Sequence, residues 1–191
     1  MNTENFLSAL NQFQRVLKET QVMVPAQPSV SLEEGLRCAL SILQRAQRES
    51  SDVYLIGNGG SAALVAHVHN DLVNKARVRA HVLHEPSLLT CMSNDYGYEN
   101  AYALLAERYL KPRDVLIAVS SSGASKNILA AVDVAMSREA DVITLSGFSP
   151  DNPLQSKGTV NVWLPSADYG EVEVGHQFVL HYLSDALADA K

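Results

Sequence analysis

Two short segments of this 191-residue chain combine the residue types that bind anions. Gly57-Asn58-Gly59-Gly60-Ser61 follows an apolar run at 53–56 and leads into a helical pattern. Glycines strip the turn of side chains, so backbone amides can approach a ligand, and the helix start adds unpaired donors and the positive end of a dipole. Ser120-Ser121-Ser122-Gly123-Ala124-Ser125 has the same setting, between an apolar run and a helix beginning near Ser125 or Lys126. Four hydroxyls and the free amides of a helix start suit a phosphate monoester, which needs many donors and little bulk. A plain tight turn and a solvated loop with a serine cap would leave the same letters. Neither segment is a Walker A loop, and the first lacks the spacing of the dinucleotide fingerprint.

Two later patterns could hold a metal. His67, Asp71 and Lys75 stand four residues apart, on one face of a regular helix. An imidazole and a carboxylate one turn apart can share a cation. A surface row of ion pairs has the same spacing. Near the end of the chain Glu173, Gln177 and His181 repeat that step, with His176 beside them, on an otherwise apolar helix whose polar side chains need partners. Eight helical residues span roughly 12 Å of rise, too far for Glu173 and His181 to reach one ion comfortably. Either Glu173 precedes the regular helix, or one of the two serves a neighbouring subunit's site. His69 lies across the helix from His67, outside the site, and His81 and His84 flank a strand and read as structural.

These residues need a scaffold, and the apolar pattern supplies one. Runs at 53–56, 80–83, 115–119, 142–145 and 160–164 are nearly continuous, as in strands covered on both faces, and the intervals between them are long enough for crossover helices. This rhythm predicts an α/β three-layer sandwich around a five-stranded parallel sheet. Two helices precede it. Phe6, Leu10, Phe13 and Leu17 form one stripe; Ser31 and Glu34 form a capping box ahead of Leu36, Leu40 and Leu43. The first stripe must be buried on its own domain or on another copy of the chain. A last helix spans about 171–188. The expected organisation is one domain over 1–191, with a helical extension at 1–50 and the α/β core at 51–191. Apolar residues make up 47% and charged residues 19%, enough for a full core. With 15 Lys and Arg against 21 Asp and Glu, the charge of −6 disfavours nucleic acid as a partner. Two distant cysteines, Cys38 and Cys91, exclude a disulfide framework and read as core filler. The absence of a signal-like start or a long apolar run points to the cytoplasm and away from a membrane.

Taken in order, the glycine loop, Ser93-Asn94-Asp95-Tyr96-Gly97, the serine loop and the late His176 and His181 resemble the sugar isomerase (SIS) domain family, in its phosphoheptose isomerase branch. The resemblance implies a flavodoxin-like SIS fold and interconversion of sedoheptulose 7-phosphate with D-glycero-D-manno-heptose 7-phosphate. It implies sugar-phosphate contacts by Asn58, Gly59, Gly60, Ser61, Lys75, Asn94, Asp95, Ser120, Ser121, Ser122, Ser125 and Glu173. It also implies one zinc ion per subunit on His67, Asp71, Glu173 and His181, with Asp71, Glu173 and His181 as catalytic groups in a metal-assisted enediol mechanism. Four positions depart from the branch's pattern: Asp71 stands where it has Glu, Glu173 where it has Gln, and Lys75 and Glu171 where it has Arg. Asp71 is a methylene shorter, and Glu173 adds a negative charge. A homotetramer with sites at subunit junctions is implied, in heptose synthesis for lipopolysaccharide or capsule. The alternatives are an isomerase of another sugar phosphate and a noncatalytic SIS regulator of the replication-initiator-binding type, against which the retained His181 counts.

Overall fold

A computed structural model describes residues 5–27 and 29–189. Helix α1, Phe6–Lys18, starts at Asn5, whose side chain accepts from the Ser8 amide at 2.9 Å. A three-residue strand, β1 (Gln21–Met23), separates it from α2 (Leu32–Glu49). The capping box forms as the sequence predicts: Glu34 N donates to Ser31 Oγ at 3.3 Å and Ser31 N to Glu34 Oε2 at 2.9 Å. The chain then alternates through β2 (Asp52–Gly57), α3 (Gly60–Asn74), β3 (Arg79–Val82), α4 (Pro86–Tyr96), α5 (Tyr98–Tyr109), β4 (Val115–Ser120), α6 (Lys126–Ser137), β5 (Asp141–Ser146), β6 (Val160–Trp163) and α7 (Tyr169–Asp189).

The sheet has the order β1-β6-β5-β4-β2-β3. The five strands from β2 onward are parallel, as the apolar runs predict. The sixth, β1, was not among those runs; it adds antiparallel to β6, Gln21 facing Trp163, and covers what would otherwise be an open edge. Alternate strand residues serve opposite layers. Val53, Leu55, Ile117 and Leu145 pack under α2, α3 and α7, while Tyr54, Ile56, Leu116 and Ala118 pack under α4, α5 and α6. The result is the three-layer sandwich. Of the α1 stripe, only the end near Val16 and Leu17 meets the core; Phe6 is 79% and Leu10 49% exposed. Cys38 packs partly against the core, but Cys91 is exposed on α4, which corrects its reading as core filler. Among the described residues no helix is long and apolar enough to cross a membrane.

From β2 the chain moves outward to β3, then returns to the other side of β2 for β4 and continues in the opposite direction. The reversal falls between β2 and β4, and their carboxyl ends carry the glycine loop and the serine loop. A crevice at such a point is where open α/β sheets bind ligands.

Candidate active site

The two loops meet across that crevice. Asn58, Gly59, Gly60, Ser61, Ser120, Ser121, Ser122 and Ser125 line one cleft of about 240 Å³, together with Tyr169 and Glu173 of α7. Gly59, at φ +52°, turns the chain into α3 and caps it with no side chain, so the first-turn amides are left to the cleft. Ser125 is the N-cap of α6, yet its hydroxyl accepts from Ser120 Oγ at 3.2 Å and caps nothing. Ser121 Oγ is buried in the cleft wall with no hydrogen-bond partner. A buried hydroxyl left unpaired is costly unless a ligand completes it. Gly123, at φ +62°, is required here: a Cβ would lie 1.8 Å from Asn152 Oδ1. Asn152 in turn donates to the carbonyls of Gly147 and Ser149 and accepts from the Gln155 amide, which orders the segment after β5, and that segment holds the serine loop through Leu154 N to Gly123 O at 3.0 Å and Gly147 N to Ser121 O at 2.9 Å.

Asn58 is held firmly. Its Oδ1 accepts from Tyr98 Oη at 2.7 Å and from Asn127 Nδ2 at 2.9 Å, and its Nδ2 donates to Asn127 Oδ1 at 2.9 Å. One Asn58 N–H therefore remains for a ligand. Tyr98, Asn127 and Tyr169 were missed by sequence reasoning. Asn127 lies two residues past the serine loop, a signal that could have been used, whereas Tyr98 reaches Asn58 from 40 residues away and only folding reveals the contact.

Helices α3 and α7 pack side by side in the same direction and position the remaining groups. Gly60 lies against Glu173, so closely that a Cβ would be 2.4 Å from Glu173 Oε1. Two turns further, His67, Asp71 and His181 present ligand atoms that all lie within 4.8 Å of one another. His181 Nδ1 is 3.0 Å from Asp71 Oδ2, and the His67 and His181 rings meet edge to face at 5.1 Å. Asp71 Oδ2 is buried, and no donor is aligned on it as a hydrogen bond. Two imidazoles and a carboxylate whose lone pairs converge, with an orphaned oxygen among them, fit a divalent cation and leave positions open for water or substrate. Three of the four metal-ligand candidates therefore come together. Glu173 lies within α7, so it does not precede the regular helix, and it lines the cleft rather than the cluster.

Other candidates sit elsewhere. Lys75 caps the C-terminal end of α3, 3.2 Å from Asp71 and 3.4 Å from Asp185, and does not line the cleft. Asn94 and Asp95 are exposed at the end of α4, Asn94 Nδ2 bonding Asp95 Oδ1 at 2.9 Å, and neither lines the cleft. The remaining histidines lie outside the cleft and the cluster; His69, His81 and His176 each have a partner at one ring nitrogen, whereas His84 Nδ1 is buried with none among the described residues. His69 Nε2 meets Ala80 O at 3.1 Å, His81 Nε2 meets Asp52 Oδ1 at 3.0 Å, and His84 is half-buried, its pKa lowered by burial and by nearby His69. His176 is fully buried with Nε2 3.0 Å from Ser146 O, so it anchors α7 to β5 and takes no part in the cleft.

Comparison with known proteins agrees with this geometry. Residues 20–147 match the SIS domain family. The phosphoheptose isomerase of Helicobacter pylori is 30% identical over 164 residues, covering 82% of this chain and 84% of that one. The phosphoheptose isomerase of Leptospira biflexa is 30% identical over 173 residues, covering 86% and 88%. The solved phosphoheptose isomerase of Neisseria gonorrhoeae superposes with a TM-score of 0.82 at 25% identity, over 97% of this chain and 95% of that one. A crevice of serine hydroxyls and helix-start amides at the β2/β4 reversal, matched along two thirds of its sequence, makes this chain a member of the SIS domain family.

Proposed function

We propose that the protein is an aldose–ketose isomerase of the phosphoheptose type, converting sedoheptulose 7-phosphate to D-glycero-D-manno-heptose 7-phosphate. The observation that carries this reading is the pairing, along two parallel helices, of an anion-binding cleft with a cluster of two imidazoles and a carboxylate. In this reading Ser120, Ser121, Ser122 and Ser125 hold the phosphate with hydroxyls and backbone amides. Asn58, Gly59, Gly60 and Ser61 orient the sugar chain, Asn58 through the one N–H it has left. His67, Asp71 and His181 would hold a zinc ion, whose charge polarises the carbonyl and hydroxyl oxygens of the substrate.

Isomerisation moves a proton between adjacent carbons by way of an enediol. Two carboxylates are available as general base, and their surroundings separate them. Asp71 is engaged by Lys75 and His181, whereas Glu173 lines the same cleft as the serine loop. Glu173, which stands where the branch has Gln, is the base this geometry favours: its carboxylate takes the proton from the carbon beside the carbonyl and returns it to the neighbouring carbon, while the hydroxyl proton passes between the two substrate oxygens. His181, 3.0 Å from Asp71, would serve as a metal ligand or as the acid that assists the transfer.

A homotetramer fits the exposed apolar residues. Val174, Phe178 and Tyr182 form an exposed stripe on α7, and Phe6 and Leu10 are exposed on α1. A second copy of the chain covering that stripe would also approach the exposed His67. Lipopolysaccharide or capsule heptose synthesis in the cytoplasm is the setting this substrate suggests.

Assay of a panel of pentose, hexose and heptose phosphates tests the assignment. Sedoheptulose 7-phosphate is expected to turn over fastest. The Glu173→Gln variant should lose about 10²-fold or more in kcat while still binding substrate. Preference for a hexose phosphate would replace the substrate, and full activity in Glu173→Gln would remove Glu173 as base.

A further inference from the structure

Lys75 follows directly from the helix that carries His67 and Asp71, and its ammonium contacts that site rather than the cleft. Its Nζ is 3.2 Å from Asp71 Oδ1 and 3.4 Å from Asp185 Oδ1, and these two carboxylates raise its pKa, Asp71 the more. Asp185 stands one turn beyond His181 on α7, so the lysine bridges the parallel helices. The pair does little for stability, because Lys75 is about half exposed and ion pairs in that setting are well screened. Its effect falls on Asp71, whose side chain is only 14% exposed.

The two oxygens of Asp71 have different neighbours. Oδ1 faces the ammonium. Oδ2 faces His181 Nδ1 at 3.0 Å, is buried, and has no aligned donor. We infer that Lys75 is a positioning residue that occupies one oxygen of Asp71, so that a cation on His67, Asp71 and His181 receives only the other. The inference rests on the metal reading proposed above and adds a statement about how the metal is held. A carboxylate with both oxygens available can chelate through both; one with an ammonium on Oδ1 coordinates through Oδ2 alone and leaves one more position open for substrate oxygens. The positive charge beside the site also weakens the cation's hold. Lys75 thus limits metal affinity and keeps a coordination position vacant.

Cobalt(II) reports coordination number directly, since its visible absorption weakens as ligands are added. The full-length protein, stripped with a chelator and reloaded with Co2+, should show the intense bands of a low-coordinate site. Lys75→Met and Lys75→Gln should each weaken those bands and tighten binding about tenfold in competition with a chelator, the lower end of what outer partners of metal ligands change. Lys75→Arg, which restores a cation at Asp71, should return the original spectrum. Unchanged bands and affinity in both neutral variants would overturn the positioning role while leaving the metal site in place. Looser binding with unchanged bands would do the same. Failure of the wild-type protein to take up Co2+ would overturn the metal reading and this inference together.

Discussion

Glu173 and Asp71 show how much position decides for residues of nearly the same chemistry. Both are carboxylates on the α3/α7 pair, yet one lies against Gly60 at the cleft and the other faces an imidazole and an ammonium two turns away. The sequence spacing already separated Glu173 from His181 by two turns, so their distance was legible; which of them joined His67 and Asp71 depended on the packing of α3 along α7. Lys75 was legible only as a charge on the His67 face, because nothing in its spacing tells a substrate contact from a carboxylate contact. His176 is a different case, a histidine beside the site that is wholly structural. Burial pushes its pKa down to about 4, against a weaker upward pull from the Ser146 carbonyl. The unfolded chain takes up this proton near pH 6.5, while the folded chain refuses it until about pH 4. Its contribution to stability is therefore complete above pH 6.5 and drains away as the pH falls toward 4, at about 1.4 kcal/mol per pH unit. Urea unfolding at pH 7.5, 6 and 5 should show this slope, and His176→Gln should remove most of it. Equal pH dependence in the two proteins would show that His176 does not titrate in this way.

At the scale of elements, five strands and the loops that follow two of them could be read from apolar runs ending in glycine or serine. Strand β1 could not. It has three residues, of which only Val22 is buried, and its pairing partner lies about 140 residues away. What fixes it is α2, which crosses it at Gly35: a Cβ there would be 2.4 Å from Val22 Cγ1. The absent side chain is thus the seat of the strand. Gly35→Ala should overpack the contact and cost about 1–3 kcal/mol by denaturant unfolding. Val22→Ala should cost a comparable amount through a cavity. The double variant should be less destabilised than the sum, because each change makes room for the other. Strict additivity would mean that β1 is held by its ladder to β6 and not by this contact.

For the whole molecule, the charge of −6 disfavours a polyanion such as nucleic acid but is no obstacle to a single phosphate ester. The cleft shows why. Its donors are amides and hydroxyls at helix starts, which need no basic surface. The other global feature is exposed apolar surface: the stripe of Val174, Phe178 and Tyr182 on α7, and Phe6 and Leu10 on α1. The sequence marked the α1 stripe but left open whether the chain would bury it on itself, and the fold leaves most of it outside. Contiguous exposed apolar surface of this kind marks an association face. If a second copy covers it, a charge placed at its centre should divide the assembly without unfolding the chain, since Phe178 is 57% exposed and contributes little to the core. Light scattering should give the wild-type protein the mass of four chains and Phe178→Glu a smaller assembly, with the same unfolding cooperativity in each. Isomerase activity should fall with the mass if the exposed His67 works at a junction between copies. A Phe178→Glu protein that keeps the wild-type mass would move the interface elsewhere; one that loses mass but keeps full activity would show that a single chain completes the site.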